Sequence, residues 1–183
     1  MTKLMRWMAT IAATATLTGC AIWTKLDGGP VSHAGVGMNA PANWVHLAAK
    51  KDGLLITRDG SLIQFIEVAY LLDDKIFPKS KQVFSKDAAP QDMAQRFIGE
   101  LRQSPGLTAL EVKETAPTTV AGRPGFRTVI EWKNDRGATF QRVIAGAVIE
   151  NGLFIVQYQA LKRYFFARDL PEFERALASA KRT

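Results

Sequence analysis

A four-residue motif near the start of the chain, Leu17-Thr18-Gly19-Cys20, limits which part of the sequence can belong to a folded domain. Two basic residues precede an apolar run over Trp7–Leu17, which is the arrangement of an export signal. That run is too short to span a bilayer. The small residues before Cys20 leave the backbone accessible to a signal peptidase, and Cys20 is the only cysteine in the chain. The motif therefore predicts a lipoprotein signal peptide over residues 1–19, cleavage after Gly19, and a lipid on Cys20.

The composition limits the kind of domain that the mature chain can form. The 183-residue chain is 47% hydrophobic, so the part after the signal peptide is long and apolar enough for one domain with a core. An acylated Cys20 leaves no thiol for a disulfide or a thiolate metal site, so packing must stabilise that domain. We expect a single domain over residues 36–183.

The net charge of +7 is moderate, and the cations are spread along the chain. A nucleic-acid-binding protein more often concentrates its cations on one helix or groove, and export separates the protein from DNA and RNA. The charge fits weak attraction to anionic headgroups instead. We therefore expect the membrane, and no nucleic acid, as a partner.

Residues 20–35 are predicted to form a short flexible tether, because glycines and a proline interrupt any period there. Ala21 follows the acylated cysteine. By analogy with enterobacterial sorting, alanine in place of aspartate at this position indicates the outer membrane, facing the periplasm. Trp23 has two possible places, the membrane interface, where indoles are favoured, or an ordinary position in the linker.

The order of periodic segments predicts an α+β domain. Strands come first, among them Leu62–Leu71, whose mostly apolar run predicts a position inside a sheet. A helix begins at Pro90, three antiparallel strands follow over residues 126–161, and Asp169 caps a last helix. We expect an antiparallel sheet of about six strands sandwiched by helices.

One long segment, Asp73–Ala89, has neither a helical nor a strand period. It mixes charged residues with phenylalanines, and long irregular segments in compact domains are often functional. The alternative is a solvated connection that its two phenylalanines pin to the domain. The candidate partner-binding residues in this loop are Asp73, Asp74, Lys75, Phe77, Lys79, Lys81 and Phe84.

A second candidate joins cations to an aromatic ring just before the last helix, at Lys162, Arg163 and Tyr164. In an exported protein, such a basic and aromatic patch suits anionic headgroups, a glycan or an acidic partner. In the alternative, the aromatic residues of this segment hold the last helix on the sheet while the cations stay solvated. The sequence leaves both possibilities open.

The sequence contains no catalytic constellation. His33 and His46 are its two histidines, and no Gly-x-Ser-x-Gly motif accompanies them. A metal site needs three or four convergent ligands, and the adjacent pair Asp73-Asp74 lacks the spaced oxygens of a calcium loop. We therefore expect no enzyme activity, no cofactor and no metal.

The chain resembles the PsbP/DcrB-like domains of small bacterial lipoproteins over about residues 36–181. The resemblance rests on Pro41 and Trp44 at the opening, a helix after a long loop, a glycine-containing turn before three strands, and the closing segment Tyr164–Glu174. It implies an α-β-α sandwich around an antiparallel sheet. Members of that group are known for accessory and binding roles and share no catalytic motif, so no residue roles carry over.

The predicted function is that of a non-enzymatic, lipid-anchored envelope protein that binds another envelope component, in the first instance a protein, as an accessory or assembly factor. One alternative is a periplasmic carrier or receptor for a small apolar ligand. A large cavity beneath the apolar stripe of the helix that begins at Pro90, formed by Met93, Phe97 and Leu101, would favour that alternative. A third possibility is an enzyme, which convergent titratable groups in a cleft would favour. The sequence leaves the oligomeric state open.

Overall fold

The computed structural model describes residues 23–183, so the predicted signal peptide, Gly19 and Cys20 lie outside the described residues. The strands are β1 (Trp23–Lys25), β2 (Gly29–His33), β3 (Val36–Ala40), β4 (Val45–Leu47), β5 (Leu54–Thr57), β6 (Gln64–Leu72), β7 (Thr108–Val120), β8 (Arg123–Lys133), β9 (Thr139–Ile149), β10 (Gly152–Leu161) and β11 (Lys181–Arg182). The helices are α1 (Pro90–Arg102) and α2 (Ala167–Ser179).

The strands form two sheets. The large sheet is antiparallel, with eight strands in the order β1-β4-β5-β6-β10-β9-β8-β7, and the small sheet has the order β11-β3-β2. The α+β class is therefore confirmed, but the prediction of about six strands is wrong. Two strands of three residues, β1 and β4, extend one edge of the large sheet, and three residues are too few to show an alternating pattern.

Residues 23–35 do not form a flexible tether in this structure. Strand β1 pairs with β4, and β2 forms a hairpin with β3. The hairpin turn is Ala34-Gly35, and both of its residues have a positive φ, as a type I′ turn requires. The glycines that indicated a flexible coil instead adopt the positive φ of turns. The folded domain therefore includes the chain from Trp23.

The large sheet lies between two apolar layers. Helix α1 packs its buried stripe on β8 and β9, where the ring centroids of Phe97 and Phe126 are 6.4 Å apart. On the other face lie α2 and the small sheet, and Phe173 of α2 stacks on Tyr158 of β10 at 5.5 Å. The stripe of α1 thus contacts the sheet directly. No helix among residues 23–183 is long and apolar enough to cross a bilayer.

The predicted meander of three strands is confirmed as β8, β9 and β10. On its other side β10 pairs with β6 over its length, and beyond this ladder the Leu161 N–H donates to the Ile63 carbonyl at 3.0 Å. We call this the Leu161 end of the sheet. The opposite end carries the β9–β10 turn at Glu150-Asn151 and is called the Asn151 end.

Candidate functional site

The two regions that the sequence singles out lie on different parts of the domain. The 73–89 loop covers α1 on one face, whereas Lys162, Arg163 and Tyr164 follow β10 at the Leu161 end. The structure therefore offers two separate surfaces rather than one composite site.

The 73–89 loop is held by its apolar residues. It opens with a short 3-10 turn, Asp73–Lys75, and Phe77 is then buried in the core beneath α1. Phe84 is half-buried against the same core. The two phenylalanines thus anchor this part of the loop to the core, and Phe77 is not at the surface. The predicted residues that are exposed are Asp74, Lys75, Lys79 and Lys81.

Glu100 of α1 fastens the backbone of the loop. Its side chain belongs to a residue only 6% exposed, and its carboxylate accepts the N–H of Lys79 at 3.0 Å and the N–H of Ser80 at 2.7 Å. Burial alone would raise the pKa of Glu100, but these hydrogen bonds outweigh burial and hold the pKa below its ordinary 4.5. Arg96 adds a bond to the Val83 carbonyl at 2.7 Å.

We expect Glu100→Gln to lower the free energy of unfolding at pH 7 by about 1.5–3 kcal/mol. An amide lacks the negative charge, and its NH₂ group takes the place of Oε1, which accepts the Lys79 N–H at 3.0 Å. Because folding lowers the pKa of Glu100, its contribution is present above pH 4.5 and is lost as the pH falls through the folded-state pKa. Urea unfolding at pH 7 and pH 3 should therefore show a difference between variant and wild type that shrinks in acid. An equal difference at both pH values would contradict this role.

The basic and aromatic patch lies on a wide turn, Lys162–Phe166, between β10 and α2. Lys162 Nζ lies 2.8 Å from Glu131 Oε2, whereas Arg163 is exposed and has no salt-bridge partner among residues 23–183. Tyr164 is 66% exposed. Phe166 is buried under α2 while Arg163 and Tyr164 face outward, so both interpretations of the segment stay open.

Tyr164 has a strained backbone, with φ 74° and ψ −59°, the conformation of a γ-turn. For a residue with a side chain, such a conformation costs about 1–3 kcal/mol and persists only where its surroundings fix it. The Tyr158 hydroxyl donates to the Phe165 carbonyl at 2.9 Å, and the Arg168 guanidinium lies 5.3 Å from the Tyr164 ring centroid. These contacts hold the ring outward.

A buried ionic cluster lies directly behind this turn. Asp169 is 0% exposed, and its carboxylate accepts hydrogen bonds from Arg168 Nε at 2.8 Å, Arg58 Nη1 at 3.1 Å and Gln64 Nε2 at 3.1 Å. Arg168 also bonds Asp59, and its hydrogen bond to Asp169 raises the pKa of Arg168. We call these residues the Asp169 network. It joins the turn before β6 to the start of α2.

The prediction that Asp169 caps the last helix is wrong. Helix α2 begins at Ala167, three residues earlier than a cap at Asp169 would place it, and its N-cap residue, Phe166, makes no side-chain capping bond. The wide turn brings the chain into the helix early, so Asp169 lies inside the first turn and faces the sheet. Its short carboxylate then serves the Asp169 network instead of the helix end.

Leu62 is a surface residue that the sequence misplaces. The predicted strand Leu62–Leu71 begins only at Gln64, and Leu62 lies in the preceding turn with 89% of its surface exposed. An apolar residue after Gly60 and Ser61 has the same local pattern whether it opens a strand or ends a turn. The turn signal of Gly60 was the one hint in the sequence.

Two open, mainly apolar grooves lie on either side of the Ile63–Leu161 hydrogen bond. One, of about 560 Å³, is lined by Trp23, Val45 and Leu62 among others. The other, of about 690 Å³, is lined by Leu161, Lys162 and Phe165 among others. We define the Leu62–Tyr164 surface as the exposed side chains around these grooves, namely Trp23, Leu62, Lys162, Arg163 and Tyr164.

The histidines do not form a metal centre with acidic neighbours. Their rings, at His33 and His46, lie 5.1 Å apart between centroids. Within residues 23–183, no three His, Cys, Asp or Glu side chains are grouped to hold a metal ion.

Comparison with known proteins gives the fold. No family model matches the sequence, and no curated protein matches it. Among solved structures, the Ran-binding protein Mog1p of Saccharomyces cerevisiae has a TM-score of 0.58 at 9% identity, with 85% of this chain and 95% of that chain covered. Cyanobacterial PsbP (CyanoP) of Synechocystis sp. PCC 6803 has a TM-score of 0.58 at 11% identity, covering 91% and 95%.

A third similar structure is LpqN of Mycobacterium tuberculosis, described as involved in cell envelope biogenesis. It has a TM-score of 0.50 at 15% identity, and 85% of each chain is covered. At such identities the likeness concerns the fold alone. The chain has a PsbP-like fold, so the resemblance seen in its sequence is confirmed at that level.

Proposed function

We propose that this protein is a non-enzymatic, lipid-anchored envelope protein that binds another envelope protein as an accessory or assembly factor. The observation that carries the proposal is the motif at Leu17–Cys20, followed after only two intervening residues by Trp23, the start of a folded sheet strand. A lipid on Cys20 would keep the domain beside its membrane. By the sorting analogy of Ala21, we propose the outer membrane, facing the periplasm.

Short tethering favours weak partners that share the membrane. Confinement next to the bilayer makes an encounter nearly intramolecular, so the effective concentration is high without any extra contact. The envelope role described for LpqN, a protein of the same fold, is compatible with this proposal.

The 73–89 loop is the proposed partner-binding surface. Its backbone is already fixed through Glu100 and Arg96, and a preordered loop loses less conformational entropy when it binds. Its exposed Lys75, Lys79 and Lys81 favour an acidic partner surface. Exposed Val83 gives that surface an apolar contact.

Photocrosslinking in cells tests the partner. A photoreactive residue at Val83, which is exposed, should capture a defined envelope protein from the lipidated protein. The matched control is a probe at Arg175, which is exposed on α2 across the sheet. Capture of the same proteins by both probes, or of none at Val83, would show that the loop is only a connection.

A further inference from the structure

We infer that the Leu62–Tyr164 surface rests on the membrane, with Trp23 and Leu62 in the interface and the neighbouring cations against anionic headgroups. This inference rests on the proposed lipid anchor at Cys20. It goes beyond the anchor because it assigns the domain an orientation, with the Leu161 end toward the bilayer and the Asn151 end away from it.

The length of chain ahead of β1 limits where the lipid can lie. Cys20 precedes Trp23 by three residues, which reach at most about 11 Å when fully extended. Trp23 itself is fixed, because β1 is paired in register with β4, and its side chain lines the same groove as Leu62. An acylated Cys20 therefore lies within about 11 Å of the Trp23 backbone, which is two residues back along β1 from Lys25, the strand end that lies toward the Leu161 end.

The apolar side chains here are of the kinds that favour a membrane interface. Single exposed apolar residues are ordinary on soluble proteins. Here Leu62 and Trp23 line one groove, half-buried Phe165 lines the other, and Tyr164 is the neighbour of Phe165 in the chain. Tryptophan and tyrosine are enriched at the depth of the headgroups, where an aromatic ring meets both apolar and polar surroundings.

The charges at this end are complementary to an anionic bilayer. Exposed cations come from several strand ends and turns at the Leu161 end, namely Lys25, Lys133, Arg136, Lys162 and Arg163. The exposed acidic residues at this end are Asp27, Asp59 and Asp135, and Asp59 is paired with Arg168. Basic side chains near a bilayer are attracted to anionic headgroups.

The surface is also preformed. The Asp169 network joins the turn that carries Leu62 to the helix start that follows Tyr164, and the γ-turn at Tyr164 directs its ring outward. The two apolar projections therefore keep their relative position. Neither the turn that carries Leu62 nor the turn that carries Tyr164 has to become ordered when the domain contacts the bilayer.

Depth measurement by spin labelling tests the inference on the lipidated protein in vesicles of phosphatidylcholine and phosphatidylglycerol. The acylated Cys20 does not react with a thiol label, so Leu62→Cys gives one labelling site, and Leu62 is exposed enough to be replaced without loss of packing. Oxygen and nickel-chelate accessibility should place the label about 5–10 Å below the headgroup boundary. The matched control is Asn151→Cys, at the far end of the ten-residue strand β10, about 30 Å away, where the label should remain in water.

The outcomes separate the inference from its premise. If the lipidated protein does not float with the vesicles, the anchor is wrong, and the orientation falls with it. If the protein floats but the labels at 62 and 151 are equally exposed to water, the anchor stands and the orientation is wrong. Arg163→Glu should raise the label at 62 toward water in vesicles with phosphatidylglycerol but not in phosphatidylcholine alone. If Arg163→Glu left the depth of the label at 62 unchanged in both kinds of vesicle, the proposed contribution of the cations would be wrong.

Discussion

Replacing Asp169 by alanine should lower the free energy of unfolding by about 3 kcal/mol, the lower end of what is lost when one partner of a buried ion pair is removed. The carboxylate is fully buried and accepts bonds from Arg58, Arg168 and Gln64. The variant removes the shared buried acceptor of two guanidinium groups and an amide, whose remaining acidic partners are Asp59 and Glu172. The loss is at the lower end because both arginines keep part of their surface in water.

Equilibrium urea unfolding, followed by circular dichroism, measures this loss. The matched control is Asp59→Ala, because Asp59 bonds the same Arg168 from an exposed position. Partly exposed ion pairs contribute about 0–1 kcal/mol, so the control should be close to the wild type. Equal losses in the two variants would show that the buried Asp169 carboxylate stabilises the domain no more than the Asp59 carboxylate does.

Cys20→Ser should release the protein from the membrane. A serine hydroxyl cannot form the thioether, and two or three acyl chains hold a protein firmly whereas a folded domain alone does not. The variant should appear in the soluble fraction after a high-salt wash, with the circular dichroism of the wild-type domain, because Cys20 lies outside the strands that the structure describes, the first of which begins at Trp23.

Ala21→Asp is the matched control for this release. It keeps the acylated cysteine, so the protein should stay membrane-bound, and by the sorting analogy it should move toward the inner membrane. A Cys20→Ser protein that stays in the membrane fraction in high salt would contradict the anchor.

Long elements with a clear period were predictable from the sequence. The meander of β8, β9 and β10 alternates or is continuously apolar over ten or more residues, and α1 begins at the predicted Pro90. The irregular character of the 73–89 loop was also predictable from its lack of period. Edge strands were not, because β1 and β4 have three residues each and acquire their conformation from pairing with a neighbour.

The candidate surfaces were predictable only in part. Lys162, Arg163 and Tyr164 drew attention as a local cluster, and the structure places Arg163 and Tyr164 outward. The sequence did not indicate that Leu62 and Trp23 lie near these residues, because Leu62 has the pattern of a strand residue and Trp23 that of a linker residue. Phe77 was predicted to belong to a binding surface, but it is buried. An aromatic side chain in an irregular loop can be exposed or buried, and the local sequence does not distinguish the two.

The α+β class, the place of the long loop and the prediction of an export signal that ends at a single cysteine could be read from the chain alone, because each depends on composition or on a period along the chain. The tertiary structure decided the rest. It alone brings Arg58, Gln64 and Asp169 together across more than a hundred residues, and it alone brings Trp23 beside Leu62. Such contacts depend on which strands become neighbours in the sheet, and a local sequence pattern does not determine the strand order.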